Sequence, residues 1–171
     1  AGISAESAIV SSQFIRKNPN VQLTLGTKYS NQYAASGENA LIDGLFGGGE
    51  FRTGDYQGYY GKDIVATVTF KEPMAIHEFG ISCIRDQKAW IFLPKEIRYE
   101  ISYDGITFQN PQIISLPSAT NMDKNPHNQK FTQILETDKT RKIKSIRYTI
   151  VNPGNCPDWH LGAGNPTWLF I

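Results

Sequence analysis

The feature that most constrains this chain is a strict two-residue alternation. In residues 63–70 (DIVATVTF) the apolar side chains Ile64, Ala66, Val68 and Phe70 share one face, and in residues 96–103 so do Ile97, Tyr99, Ile101 and Tyr103. An extended strand points successive side chains to opposite faces, so period two marks strands buried on one side only. The step Tyr103-Asp104-Gly105-Ile106 predicts a tight hairpin after the second run, because Asp-Gly accepts the positive φ angles of such turns. Further strands are predicted at 76–85, 112–116, 130–135, 144–151 and 167–171, and only 38–43 invites a helical turn. About eight short strands separated by Gly, Pro and Asn clusters imply an all-β antiparallel sandwich.

At 171 residues the chain is long enough to bury the core of one domain without disulfide or metal staples. Seventeen basic against sixteen acidic side chains, with no run of like charge, offer no footprint for a phosphate backbone, so nucleic acid is excluded as the expected partner. Eight Tyr, nine Phe and fifteen Gly fit a β-rich surface binder better than a helical enzyme. No apolar run is long enough to cross a bilayer, and no charged start leads into a signal segment. The chain begins at Ala1 without Met, which reads as a piece of a longer or processed protein whose first dozen residues carry an edge strand from a preceding domain. Residues 117–129 read as a long surface connection, with an interdomain linker as the alternative. Cys83 lies in the apolar stretch Phe79-Gly80-Ile81-Ser82-Cys83-Ile84 and reads as a buried thiol, a Cys83–Cys156 bridge being the alternative.

Function sits on loops carried by a rigid scaffold, and three glycine-rich segments join the predicted strands: 39–61, 85–94 and 152–166. The third carries Asp158, Trp159 and His160 side by side. A loop indole stacks on the C–H face of a pyranose while Asp and His bond its hydroxyls; the alternative is that Trp159 plugs the core and His160 caps a turn. Trp90 lies in the apolar run Ala89-Trp90-Ile91-Phe92-Leu93 and is either a core ring or a platform. Arg85 and Asp86 before it either bind a ligand or pair with each other. Tyr56 and Gln57 repeat the aromatic-plus-amide pattern of a sugar site, against a reading as ordinary loop residues. Asp43 is the one candidate metal ligand, for a structural calcium ion completed by backbone carbonyls, with turn capping as its alternative. No cofactor is otherwise required.

Enzymatic constellations are poor. Cys156, Asp158 and His160 are close in sequence, but a nucleophile, its base and an orienting group must meet in space. Metal ligation by Asp158 with His160, or by His77 with Glu78, lacks further ligands at characteristic spacing. His127 reads as a solvated loop residue. Glycoside hydrolysis needs two carboxylates flanking one bond, and Glu50, Asp55, Asp86 and Asp158 show no such pairing.

Six ordered motifs carry a family resemblance: Ala40-Leu41-Ile42-Asp43-Gly44; Phe51-Arg52-x-Gly54-x-x-Gln57-Gly58; Gly61-Lys62-Asp63; Trp90-Ile91-Phe92-Leu93-Pro94-Lys95; Cys156-Pro157-Asp158-Trp159-His160 with Gly162-Ala163-Gly164; and Trp168-Leu169-Phe170. Over nearly its whole length the chain resembles the coagulation factor 5/8 type C (discoidin-like) domain at the C-terminus of Bacteroidetes family 20 β-N-acetylhexosaminidases, the chitobiases. The resemblance implies a jelly-roll sandwich related to the family 32 carbohydrate-binding modules, non-catalytic and appended to a glycosidase that is secreted, periplasmic or on the cell surface. It implies two partners, a glycan bearing N-acetylhexosamine or galactose and the catalytic domain of the same polypeptide. Its ligand loops would hold Tyr56 and Gln57, Arg85 to Trp90, and Trp159 with His160, all at one end of the sandwich. The sequence departs from the group at Tyr56, where Trp is commoner, and at Ile171, beyond which relatives usually continue with acidic residues, one of which can help bind calcium in the wider family. The alternative function is a structural domain that packs on the catalytic domain and binds nothing.

Overall fold

The computed structural model describes residues 18–135 and 141–171, and the edge strand expected in the first dozen residues lies outside them. Both alternating runs fall in one five-stranded sheet. Its strands are β1 (Val21–Leu25), β3 (Ile64–Met74), β8 (Ile143–Val151), β5 (Glu96–Ser102) and β6 (Gln109–Ser115), in that order. Every neighbouring pair is antiparallel. Ile64, Ala66 and Phe70 of β3 and Ile97, Tyr99 and Ile101 of β5 are buried, as their alternation predicts.

Two short antiparallel ladders form the facing layer. One pairs β4 (Glu78–Arg85) with β7 (His127–Ile134), the other β2 (Gly58–Tyr60) with β9 (Trp168–Phe170). Tyr59 of β2 and Leu169 of β9 pack on Ile64, Ile97 and Ile150 of the large sheet. Phe79 of β4 meets Tyr99 edge-on at 4.3 Å and Tyr148 at 5.5 Å. The chain is thus an all-β antiparallel sandwich, with nine strands among the described residues where about eight are expected. Its only helical elements among the described residues are three single 3-10 turns, one of them at Ala40–Ile42 within the stretch predicted to turn. No described helix is long and apolar enough to cross a membrane.

The β2–β9 ladder and the end of β4 are covered on their outer face too. Phe51, Tyr56, Ile84, Ile91 and Phe170 form a second core there, with Tyr33 and Trp168 packed against it. The long connection from β1 to β2 supplies three of those rings and covers the face. This explains an aromatic content that one sandwich core would not need.

Register fixes where the loops lie. Leu25 pairs with Ala66, Ile64 with Ile150, and Glu96 with both Val151 and Ser115. The end of β1, the start of β3, the end of β8, the start of β5 and the end of β6 therefore share one edge of the sandwich. Lys95 N–H donates to the Val151 carbonyl and Leu116 N–H to the Lys95 carbonyl, stitching three connections together there. The loops 26–57, 86–95, 116–126 and 152–167 all gather at this end.

Two expectations change, and the reading of Cys83 as a buried thiol holds. The β5–β6 hairpin forms, but its turn spans six residues, because the Asp104 carboxylate organises it from inside, accepting from Ile106 N–H at 2.8 Å, Thr107 N–H at 2.7 Å and the Ser102 hydroxyl at 2.8 Å. The surface connection expected at 117–129 ends sooner, since His127 to Gln129 begin β7. Cys83 and Cys156 are both buried and both free thiols.

Candidate functional site

The loop end is built on two segments locked together. After β4 the chain makes a 3-10 turn over Gln87–Ala89, bridged at its base by Asp86 and Ile91, whose N–H groups exchange bonds at 3.1 and 3.0 Å. Trp90 closes that turn in the left-handed conformation, φ 65°, rare and costly for a bulky residue. Its carbonyl accepts the Trp168 N–H at 2.8 Å, which holds the loop against β9. Across from it, the β8–β9 loop passes Gly162 directly under the indole. A Cβ on Gly162 would fall 2.7 Å from the Trp90 ring, so glycine is what allows the close approach.

His160 is the rivet between these loops. Its Nδ1 accepts the Gly162 N–H at 2.9 Å, which leaves the proton on Nε2 to donate to the Gln87 carbonyl at 2.7 Å. The ring is 4% exposed. The ligand role expected of His160 therefore gives way to its turn-capping alternative, extended across two loops. Trp159 next to it points the other way: 37% exposed, with Phe92 at 6.3 Å and His160 at 5.8 Å from its ring centroid. Asp158 is exposed beside it, and Leu161 stands fully in solvent. Trp90 is half-buried, neither the core ring nor the free platform of the two expectations.

Tyr56 and Gln57 are corrected more strongly. The Tyr56 ring is 2% exposed, and its hydroxyl donates to the Gly48 carbonyl at 2.5 Å while accepting from the Asn128 side-chain amide at 2.7 Å. Gln57 is fully buried; its amide donates to the Gly37 carbonyl at 2.7 Å and its oxygen accepts from the Tyr59 hydroxyl at 2.7 Å. Both hold the long first loop down. Gly47 lets the Tyr56 ring seat, since a Cβ there would fall 2.2 Å from it.

Arg85 pairs with Asp123 rather than with Asp86, and also meets His127 Nδ1 at 3.1 Å, so His127 is not the solvated loop residue expected. Asp123 is held below the usual carboxylate range by the Asn125 N–H and then by the Arg85 charge. The buried Arg85 Nε has no hydrogen-bond partner among the described residues. Asp86 is buried, and its carboxylate makes no hydrogen bond to a described residue. Asp43 caps its own turn: one oxygen accepts the Leu45 N–H at 2.8 Å and the other the Ser36 hydroxyl. Donors already occupy both oxygens, and the described residues contain no group of three His, Cys, Asp or Glu placed to share an ion with it. Asp43 thus caps its turn with both oxygens.

A cleft of about 800 Å³ opens on the other side of Phe92, between the loop after β6 and the loops at 93–95 and 153–157. Sequence reading missed it, because Ser118 to Asn121 look like any polar connection until the fold brings them opposite Pro157. Both nitrogens of His160 are engaged, so it cannot serve as base to Cys156, and burial pushes that thiol above its ordinary value, away from the reactive thiolate.

No protein-family model matches the chain, and no curated protein sequence matches it. Among solved structures it is similar to a Streptococcus pneumoniae fucose binding module, SpX-3, at 12% identity and a TM-score of 0.48, over 86% of this chain and 88% of that one. It is also similar to CBM32-3 from a family 31 glycoside hydrolase of Clostridium perfringens, at 12% identity and a TM-score of 0.46, over 89% and 90% of the two chains.

Proposed function

We propose that this chain is a non-catalytic carbohydrate-binding module that holds a secreted β-N-acetylhexosaminidase of the chitobiase kind near glycans bearing N-acetylhexosamine or galactose. The observation that carries the reading is the placement of Trp159. Its ring faces water while Phe92 and His160 fix it from behind, at the end of the sandwich where four loops meet. A preordered aromatic face stacks on a pyranose at little entropic cost, and the exposed Asp158 beside it offers hydroxyl-binding oxygens. Trp90, angled over Gly162, supplies a second partly exposed ring. Sites this shallow bind one sugar weakly, roughly in the micromolar to millimolar range, and tethering to a polymer multiplies the effect. Titration with GlcNAc, GalNAc and galactose after a glycan-array screen tests the reading. Binding that disappears in Trp159→Ala supports it; absence of binding, or binding indifferent to that change, overturns it.

A second reading rests on a different surface. Leu45, Phe46 and Ile134 are exposed, and Phe46 stacks under the Lys130 ammonium at 4.0 Å, so apolar surface lies open beside the β4–β7 ladder. A structural domain packed on its catalytic neighbour would use such a face. Under that reading, deleting the module lowers the stability of the parent enzyme and leaves its preference for insoluble over soluble substrate unchanged.

A further inference from the structure

The cleft beside Phe92 is too large for the single sugar that one indole can hold. Its volume of about 800 Å³ lies near the top of the roughly 300–1,000 Å³ range of small-molecule sites. It shares a wall with the Trp159 platform. Phe92 faces Trp159 and His160 on one side and lines the cleft, and Pro157, two residues before Trp159, lines it too. The half-buried Pro157 thus puts the rim of the cleft two residues from the platform.

The lining has the chemistry of a neutral oligosaccharide. Its apolar floor is Phe92, Leu116 and Phe131. Around that floor stand Ser118, Thr120, Asn121 and Asn155, exposed hydroxyls and amides whose side chains make no hydrogen bond to a described residue. Free amides and hydroxyls over apolar surface suit ligands with alternating hydroxyl and C–H faces. Charge is sparse: Arg85 and Asp123 neutralise each other, and Lys95 is the other charged residue in the lining. A phosphate backbone or an acidic peptide would find one cation there, too few for binding governed by charge.

We propose that the platform and the cleft together form an extended site for an oligosaccharide of several units, so that the module recognises chain segments rather than isolated terminal sugars. This rests on the carbohydrate-binding reading above and adds a substrate class to it. Two probe series are titrated calorimetrically against the whole chain: GlcNAc with its β1,4-linked dimer to hexamer, and galactose with its β1,4-linked oligomers to the tetramer. In the series that binds, affinity rises at least about tenfold from monomer to tetramer and then levels off. Ser118→Trp, which fills the cleft from an exposed loop, removes that gain and leaves monosaccharide binding unchanged. The double variant Asn121→Ala, Asn155→Ala, which fills nothing and only deletes amides, lowers tetramer affinity alone. Monomer and tetramer binding equally in a Trp159-dependent manner overturns the extended site and spares the module reading, as does a chain-length gain that survives both variants. Absence of binding to any member of either series overturns both.

Discussion

The His160 ring bridges two loops 73 residues apart in sequence, donating from Nε2 to the Gln87 carbonyl at 2.7 Å while Nδ1 receives the Gly162 N–H. Truncation to alanine leaves both partners without that bond in a buried setting, at a cost of about 1–3 kcal/mol each way it is satisfied now. His160→Ala is therefore expected to lower unfolding stability by about 2 kcal/mol or more, both partners together, and to weaken sugar binding through the loosened loops. A ligand-contacting histidine would instead lower affinity with stability unchanged. Urea denaturation and sugar titration on the same variant separate the two.

Trp159 and Tyr56 look alike in sequence, each an aromatic in a glycine-rich loop, yet one faces water and the other is sealed. Trp159→Ala is expected to abolish glycan binding while changing stability by about 1 kcal/mol or less, as for other surface-facing positions. Tyr56→Ala is expected to cost about 3–5 kcal/mol, the usual range for removing a core aromatic ring, because it also strips a partner from Asn128. Comparable stability losses in the two variants would contradict their assigned positions.

Trp90 carries a backbone penalty that its ring must justify. A non-glycine residue at φ 65° costs about 1–2 kcal/mol relative to glycine in the same conformation. Alanine keeps that penalty and glycine removes it, so Trp90→Gly should be more stable than Trp90→Ala by about 1 kcal/mol. Both should lose glycan affinity. If Trp90→Ala binds sugar as the parent does, the strained ring has no part in the platform.

The two cysteines are predicted to be silent in the folded protein. Burial pushes the Cys83 thiol up to about 12 and raises Cys156 as well, so neither presents a thiolate at pH 8. A disulfide-exchange reagent should react with no thiol of the native chain and with two after denaturant is added. Fast native labelling of Cys156 would show that the β8–β9 loop opens.

What the sequence disclosed was the part of the fold governed by local periodicity. β3 and β5 alternate over seven or more residues and were placed within a few positions of their observed ends. β1 was missed although Val21, Leu23 and Leu25 alternate too, because five residues beside Asn18-Pro19-Asn20 give a weak signal. β2 could not be read at all: three residues in a glycine-rich loop become a strand only by pairing with β9, more than a hundred residues away. The site divides in the same way. Three loops were expected at one end, and connectivity puts them there. Which side chains face out was hidden, since the burial of Tyr56 depends on Asn128, and the pairing of Arg85 on Asp123, both distant in sequence. Gly162 was the one local clue to the Trp90 seat, within a Gly-Ala-Gly that offers no ring a place of its own.

The β5–β6 turn makes the stability of the protein depend on pH in a defined direction. Asp104 accepts the Ile106 and Thr107 backbone N–H groups and the Ser102 hydroxyl, and these bonds hold its carboxyl far below the ordinary carboxylate value. Because the folded-state pKa is depressed, the stabilisation is complete above the unfolded pKa of roughly 3.9. It drains away as pH falls from there toward the folded value, where the carboxylate itself takes up a proton. Asp104→Asn, which keeps one acceptor oxygen and cannot ionise, should melt below the parent at pH 7 by a gap that stays constant down to about pH 5. Below about pH 4 the gap should close steadily. Melting temperatures of both proteins from pH 7 to pH 2 provide the measurement, and a gap that persists unchanged at the acid end would show that Asp104 gains nothing from its charge.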